Sequence, residues 1–258
     1  MSTPGLEAYL DRPLTPAAPE VTAAVSGPAI AVADALPLPE LDRLLDPAPL
    51  AVENGWCALP DGVGYVAVRT PMPLVTGAMA DWWFDWHPRE ALRYRVWHPA
   101  AHRDNRLEPP AVPGAKAHWN AVHHPVEDLG TGVVHARIVF RPPSAMGFTT
   151  DALDDARVAT LVCGMAGDDD RRAQHTPMVH AFLREGDGVV LRSRFWLGAA
   201  LRPSPPGVLG AAAGAVLNRP AIRRRMLPPE VPRALAMHCA EEFANLAALL
   251  PELHARYA

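Results

Sequence analysis

Residues 228–254 read PPEVPRALAMHCAEEFANLAALLPELH, and the fold turns on them. Leu235, His238, Glu242, Leu246 and Leu249 recur at spacings of three and four, so they share one face of a helix. Proline is tolerated near its start, and Pro251 marks the point where the helix weakens. The stripe that should be apolar carries an imidazole and a carboxylate stacked four residues apart. A face of this kind has to be covered by another layer of structure, and an unpaired carboxylate inside costs several kcal/mol. Three arrangements relieve that cost: a hydrogen bond between the pair, an Arg from the covering layer, or a metal ion. HxxxE is short and common, and by itself the spacing favours a satisfied pair at a half-exposed edge.

The covering layer reads as a sheet. GVGYVAVRT (62–70), LRYRVWH (92–98), GVVHARIVFRP (132–142), ARVATLVCGM (156–165) and GVVLRSRFWLG (188–198) are β-branched and aromatic, with Gly or Pro at their edges. TPMVHAFLREGDG (176–188) ends in a strong turn signal, and its first half fits strand or helix. LVTGAMADWWFDWH (74–87) reads as a short aromatic helix closed by Pro88. The order of strand, short helix, several strands and long C-terminal helix predicts an α+β fold, an antiparallel sheet curled over that helix. No strand–helix alternation, GxGxxG or Walker motif supports a nucleotide-binding sheet. Residues 1–55 are rich in Pro and Ala and read as an arm or small helical appendage, with a short helix at LPELDRLL (38–45); residues 56–258 form the main domain.

With 258 residues, 49% of them hydrophobic, the chain is long enough for one large core. A formal net charge of −4 gives no general attraction to nucleic acid or acidic membranes. RPAIRRRM (219–226) is a local basic patch that reads as a solvated face or linker. Three scattered cysteines make neither a disulfide framework nor a thiolate zinc knuckle. The N-terminus lacks the pattern of a secretory signal, and the apolar run GVLGAAAGAVL (207–217) is too short to span a bilayer. The chain therefore reads as soluble and cytoplasmic.

A second cluster of chemistry-bearing residues lies upstream. WWFDWHPREALRYRVWHPAAHRDN (82–105) sets His87, His98 and His102 among four tryptophans, a composition suited to a pocket for a flat ligand. HHPVEDLGTG (123–132) follows, with Glu127 and Asp128 just before a turn. Two histidines and two carboxylates drawn from these stretches and from the helix make a mixed nitrogen and oxygen set that suits Zn²⁺ or Fe²⁺.

Taken together and in this order, DWWFDWH, YRVWHPAAH, VEDLG, LRSRFWLG and HCAEE resemble the 2,4-diacetylphloroglucinol and phloretin hydrolases, over roughly residues 65–250. The resemblance implies a helix-grip fold of the Bet v 1 kind behind a small N-terminal region, a homodimer, and one zinc held by two His and two Glu. Matched motif by motif, the ligands are His102, Glu127, His238 and Glu242, while His98 is not one. Tyr94 and Asn105 match substrate-contacting positions and His180 a pocket histidine, here assigned to proton transfer. Phe195 stands where a pocket tyrosine is expected, so a hydroxyl donor is missing there.

The implied reaction cleaves the carbon–carbon bond between a polyhydroxylated aromatic ring and an acyl carbonyl of a small ketone. An aryl carbanion is a poor leaving group. An ortho or para hydroxyl lets the ring ketonise, so that the departing carbon leaves as an enolate. The protein must then supply a nucleophile and stabilise negative charge, which zinc can do. Two other classes compete: a metal-free helix-grip protein that binds an aromatic metabolite, and a polyketide aromatase or cyclase working through acid–base histidines. Fold alone does not separate the three.

Overall fold

The computed structural model of the chain describes residues 5–112, 114–170, 173–200, 202–203, 214 and 218–258. Helix α1 (Pro19–Ser26) precedes strands β1 (Gly55–Ala58) and β2 (Gly64–Met72), then α2 (Gly77–Trp86) and α3 (Ala91–Arg95). Strands β3 (His102–Glu108), β4 (Val122–Asp128) and β5 (Val133–Arg141) lead through the short α4 (Thr150–Leu153) to β6 (Val158–Asp168), β7 (Ala173–Glu185), β8 (Gly188–Leu197) and β9 (Arg202–Pro203). Helices α5 (Pro220–Met226) and α6 (Glu230–Tyr257) close the chain. Among the described residues all strand pairs are antiparallel, in the order β1-β2-β8-β7-β6-β5-β4-β3, with β9 beside β7. This is the α+β sheet-and-helix architecture expected from the strand and helix patterns.

Each layer has a physical origin in the sequence. Successive residues of β8 point to opposite faces of the sheet. Val189, Leu191, Phe195 and Leu197 join Ala236, Cys239, Phe243, Leu246 and Leu250 of α6 in one core. Val190 and Trp196 join Leu36, Leu41, Leu44 and Leu45 in a second core on the other face. All ten residues of β8 are therefore buried, and neither side of the strand is left to solvent. The turn between β7 and β8 falls at EGDG, where Gly186 takes φ 59°, a left-handed conformation that glycine adopts without a Cβ penalty.

The outer core needs a clamp. Residues 36–54 cross the sheet without regular strand pairing, so side chains must satisfy their carbonyls. Trp196 Nε1 donates to Leu36 O at 2.8 Å, and Arg192 Nη1 donates to Leu44 O and Asp46 O at 3.0 and 2.8 Å. Arg192 and Arg194, both buried, share Glu53, with one guanidinium on each carboxylate oxygen at 3.0 Å.

Several expectations need correcting. LRYRVWH is not a strand: residues 91–95 form α3, and Tyr94, Val96 and Trp97 are buried from a compact turn. Aromatic and β-branched residues satisfy burial in any backbone state, so tertiary packing overrides their strand preference. TPMVHAFLRE is strand throughout, as part of β7. HRDNRLE (β3) is a strand with no apolar alternation, because β3 ends the sheet and pairs on one side alone. VHHPVED (β4) is a strand despite Pro125. Helix α6 continues through Pro251 to Tyr257. RPAIRRRM is not a linker: α5 spans residues 220–226, and Arg223 is buried with Asn218 Oδ1 at 2.8 Å. Apart from Gly214, the run 207–217 lies outside the described residues. Among those described, no helix is long and apolar enough to cross a membrane.

Candidate metal centre and ligand cavity

A strand pair and a helix face meet to make the site. His102 and Glu127 are direct partners across β3 and β4, so their side chains leave the sheet on the same face. His238 and Glu242 stack on the face of α6 turned toward them. His102 Nε2 lies 3.4 Å from His238 Nε2, 3.6 Å from Glu127 Oε2 and 3.5 Å from Glu242 Oε2. His238 Nε2 lies 3.8 Å from Glu127 Oε2 and 3.7 Å from Glu242 Oε2. The ligand atoms of His102, Glu127 and His238 all fall within 4.8 Å of one another, and Glu242 reaches both imidazoles.

A β-bulge shapes this corner. Register slips between His102 and Asp104, so two residues of β3 oppose one of β4. The extra residue reverses the alternation. His102 and Asn105, three apart, are both buried, while Arg103 and Asp104 between them are exposed. On β4 the alternation is regular, and His123, Pro125 and Glu127 all line the cavity. Asp128 points the other way and accepts from Gly130 N at 2.9 Å.

Neighbouring groups orient the cluster. His102 Nδ1 donates to Tyr94 O at 3.1 Å, which leaves Nε2 as a lone pair facing the other three residues. The Tyr94 ring stacks on His102 with centroids 4.0 Å apart and planes 2° apart. Its hydroxyl donates to Glu127 Oε2. Burial and the adjacent carboxylate push the Tyr94 phenol well above its ordinary range, so it stays a donor. Trp97 Nε1 donates to Glu242 O at 2.8 Å, and Asn245 Nδ2 donates to Trp97 O at 2.8 Å. His98 accepts from Ala101 N at Nδ1 and donates from Nε2 to Glu241, so both nitrogens are engaged outside the cluster.

The donor set suits a divalent cation. Burial, then the neighbouring His238, holds His102 well below the usual imidazole range, and burial holds His238 at about 3. Burial raises Glu127 above the usual carboxylate range, and burial with Glu127 beside it raises Glu242 well above it. Two neutral imidazoles and two carboxylates therefore crowd one low-dielectric point, where anionic carboxylates would repel each other. Ligand atoms roughly 2.0–2.2 Å from a central ion stand about 3.3–3.6 Å apart in a tetrahedron. The separations among His102, Glu127 and His238, and from Glu242 to the two imidazoles, run from 3.4 to 3.8 Å, which suits a small divalent cation held by the first three with Glu242 beside them.

The cluster forms one wall of a cavity of about 390 Å³, with Phe84, Trp97, Ile138, Phe140, Met178, Phe195 and Leu235 among its apolar lining. Asn105 lines it, and its Oδ1 is buried without a partner among the described residues. His180 lines it with Nδ1 2.9 Å from Ser193 Oγ, its ring packed against Phe84, Phe195 and Phe243. Burial pushes His180 down to about 3, so it is a neutral imidazole near pH 7 and not the half-charged group an ordinary histidine would be. All the expected site residues thus border this cavity or its metal-sized corner.

His87, read among the imidazoles of an aromatic pocket, does line the cavity. Sequence reading missed three features: the commitment of Tyr94 to Glu127, the Trp97–Asn245 support, and His123 in the cavity wall. Strand parity on β4 would have aligned His123 with Glu127.

Asn245 also accepts from Thr15 N at 3.0 Å, joining the N-terminal arm to the helix that carries His238 and Glu242. Asn245→Leu keeps the side chain's approximate shape, orphans the buried carbonyl of Trp97 and frees the amide of the exposed Thr15. It is expected to destabilise the chain by about 1–3 kcal/mol, read as a fall in the denaturant midpoint. An unchanged midpoint would mean that water replaces the amide.

Comparison with known proteins follows the same lines. The DAPG hydrolase PhiG domain matches residues 36–255. The chain is 32% identical to the phloretin hydrolase of Eubacterium ramulus, over 99% of this chain and 96% of that protein. It is 31% identical to the 2,4-diacetylphloroglucinol hydrolase of Pseudomonas protegens, over 84% of this chain and 73% of that one. With the domain matched over most of its length and both relatives named as hydrolases, the chain belongs to the DAPG hydrolase family and is a hydrolase.

Proposed function

We propose that the chain is a zinc-dependent hydrolase that cuts the carbon–carbon bond between a polyhydroxylated aromatic ring and an acyl group, with His102, Glu127, His238 and Glu242 holding the ion. The observation that carries this reading is the facing of the His102/Glu127 strand pair and the His238/Glu242 helix pair at one wall of an aromatic cavity. The names of the two relatives supply the ketone class. We read the curled sheet around α6 as a helix-grip of the Bet v 1 kind, with residues 1–55 as its appendage, in a cytoplasmic homodimer; the three free, buried cysteines fit a reducing compartment.

When bound, zinc supplies Lewis acidity that polarises an acyl carbonyl and activates water near neutral pH. The remaining work falls to side chains. The aromatic walls hold the ring flat and exclude bulk water. Tyr94 keeps Glu127 in place by donating to it. Asn105 Oδ1, buried and unpartnered, accepts from a ring hydroxyl. His180, uncharged at rest, takes the proton given up by the attacking water and passes it to the departing ring carbon. With Nδ1 engaged by Ser193, its Nε2 faces that task. Phe195 closes the wall with an apolar ring, edge-on to His180 at 5.5 Å.

The test is a panel of acylphenols, their methyl ethers and matched aryl esters, assayed with and without added zinc. Free acylphenols are expected to yield one carboxylic acid and one deacylated ring per turnover. Ethers methylated ortho and para to the acyl group cannot ketonise and are expected to be inert. Equal rates on phenols and ethers would overturn the mechanism. Activity on esters alone would make the chain an ordinary esterase.

A further inference from the structure

We propose that His87 is a specificity-determining residue that reads one ring hydroxyl of the ligand, accepting its proton at Nε2. This deepens, and rests on, the reading of the cavity as an acylphenol site.

The geometry determines which nitrogen is free. His87 sits just past the last turn of α2, and its Nδ1 lies 2.7 Å from the carbonyl of Trp83, four residues back. A carbonyl only accepts, so Nδ1 carries the proton and Nε2 carries a lone pair. The ring cannot turn to exchange them. It stacks on Trp83 at 5.0 Å and meets Phe84 and Trp97 edge-on at 5.6 and 5.5 Å. His87 is 2% exposed and lines the cavity, and among the described residues Nε2 has no hydrogen-bond partner.

The surroundings extend the pattern. His123 meets His87 edge-on at 5.5 Å, and among the described residues its Nε2 and Asn105 Oδ1 are buried without a partner. The Tyr94 ring lies between His87 and the metal-sized corner, 6.0 Å from the His87 ring and 4.0 Å from that of His102. His87 and the corner line the same cavity, so an aromatic ring whose acyl carbonyl sits at the corner shares that cavity with His87. Burial also holds His87 near 3, so it remains uncharged at working pH. A fixed, neutral acceptor takes a hydroxyl and has nothing to offer an ether or a carbonyl oxygen.

The test uses direct binding of 1,3,5-trihydroxybenzene and 1,3,5-trimethoxybenzene to the zinc-loaded protein by titration calorimetry, so that it does not depend on turnover. Wild type is expected to prefer the trihydroxy ring, and His87→Phe to lose about tenfold of that preference, the scale of one buried hydrogen bond. As a second measurement in wild type, the unprotonated ¹⁵N resonance of His87 is expected to shift with the trihydroxy ring and to stay put with the ether. An unchanged preference in a folded His87→Phe protein, an unmoved resonance, or no binding of the trihydroxy ring would each overturn the inference. Binding that depends on His87 without hydrolysis of any acylphenol would uphold it and sink the hydrolase reading. Hydrolysis with a preference indifferent to His87 would do the reverse.

Discussion

Glu242→Ala is expected to leave a folded protein that holds no zinc and has lost on the order of a thousandfold in kcat/KM. Polarising a carbonyl is worth several kcal/mol, and about 4 kcal/mol of barrier corresponds to roughly that factor. The fold should survive, because burial and Glu127 already strain this carboxylate and alanine relieves the strain. Thermal unfolding separates the two effects. A ligand that binds only the native state raises Tm by an amount that grows with the logarithm of its concentration over Kd. Zinc should therefore raise the Tm of wild type and leave that of Glu242→Ala unmoved. His238→Ala should behave alike, since both side chains sit on one rigid helical face. Asp128→Ala is the control: its carboxylate caps the turn at Gly130 and points away from the cluster, so metal content and rate should stay near wild type. Zinc retained by Glu242→Ala, or lost from Asp128→Ala, would overturn the ligand assignment.

Glu53→Ala is expected to produce the largest loss of stability of any single surface-strap change, about 3–5 kcal/mol. Arg192 and Arg194 project from the outer face of β8 beneath residues 44–54, and Glu53 is the one carboxylate that pairs with both among the described residues. Without it two buried guanidiniums face carbonyl dipoles alone. Burial already pulls the Arg192 guanidinium below its ordinary value, a sign that its charge is poorly solvated there. Denaturant unfolding should show a lower midpoint. Replacing Glu53, Arg192 and Arg194 together by apolar residues of similar volume should recover much of the loss, as the desolvation cost disappears with the charges. A Glu53→Ala midpoint equal to wild type would show that solvent reaches both guanidiniums.

The site was legible to unequal degrees. The helical pair His238 and Glu242 was readable because a period of 3.6 is local: both residues sit on one element, and the apolar stripe around them identifies the buried face. Glu127 and His102 stood among the candidate ligands, and only motif resemblance selected them over His98 and Asp128. They lie on strands that show no alternation: β3 is charged along a sheet edge, and β4 contains Pro125. Tyr94, expected to touch substrate, lines the cavity, and its hydroxyl also donates to Glu127. His87 was noticed only as one of several histidines among tryptophans; its fixed tautomer depends on the carbonyl of Trp83.

By itself the sequence determined the α+β class, the long C-terminal helix, the turn at EGDG and the inward face of α6, because each follows from periodicity or turn chemistry within a short window. Only the tertiary structure decided which residues meet. A one-residue bulge in β3 reverses strand parity and turns His102 and Asn105 to the same side. The partnering of β3 with β4 sets His102 opposite Glu127, and the packing of α6 against the sheet brings His238 and Glu242 within 3.4–3.5 Å of His102 and His238 within 3.8 Å of Glu127. Register and packing are sums over contacts between residues far apart in the chain, and no local pattern records them.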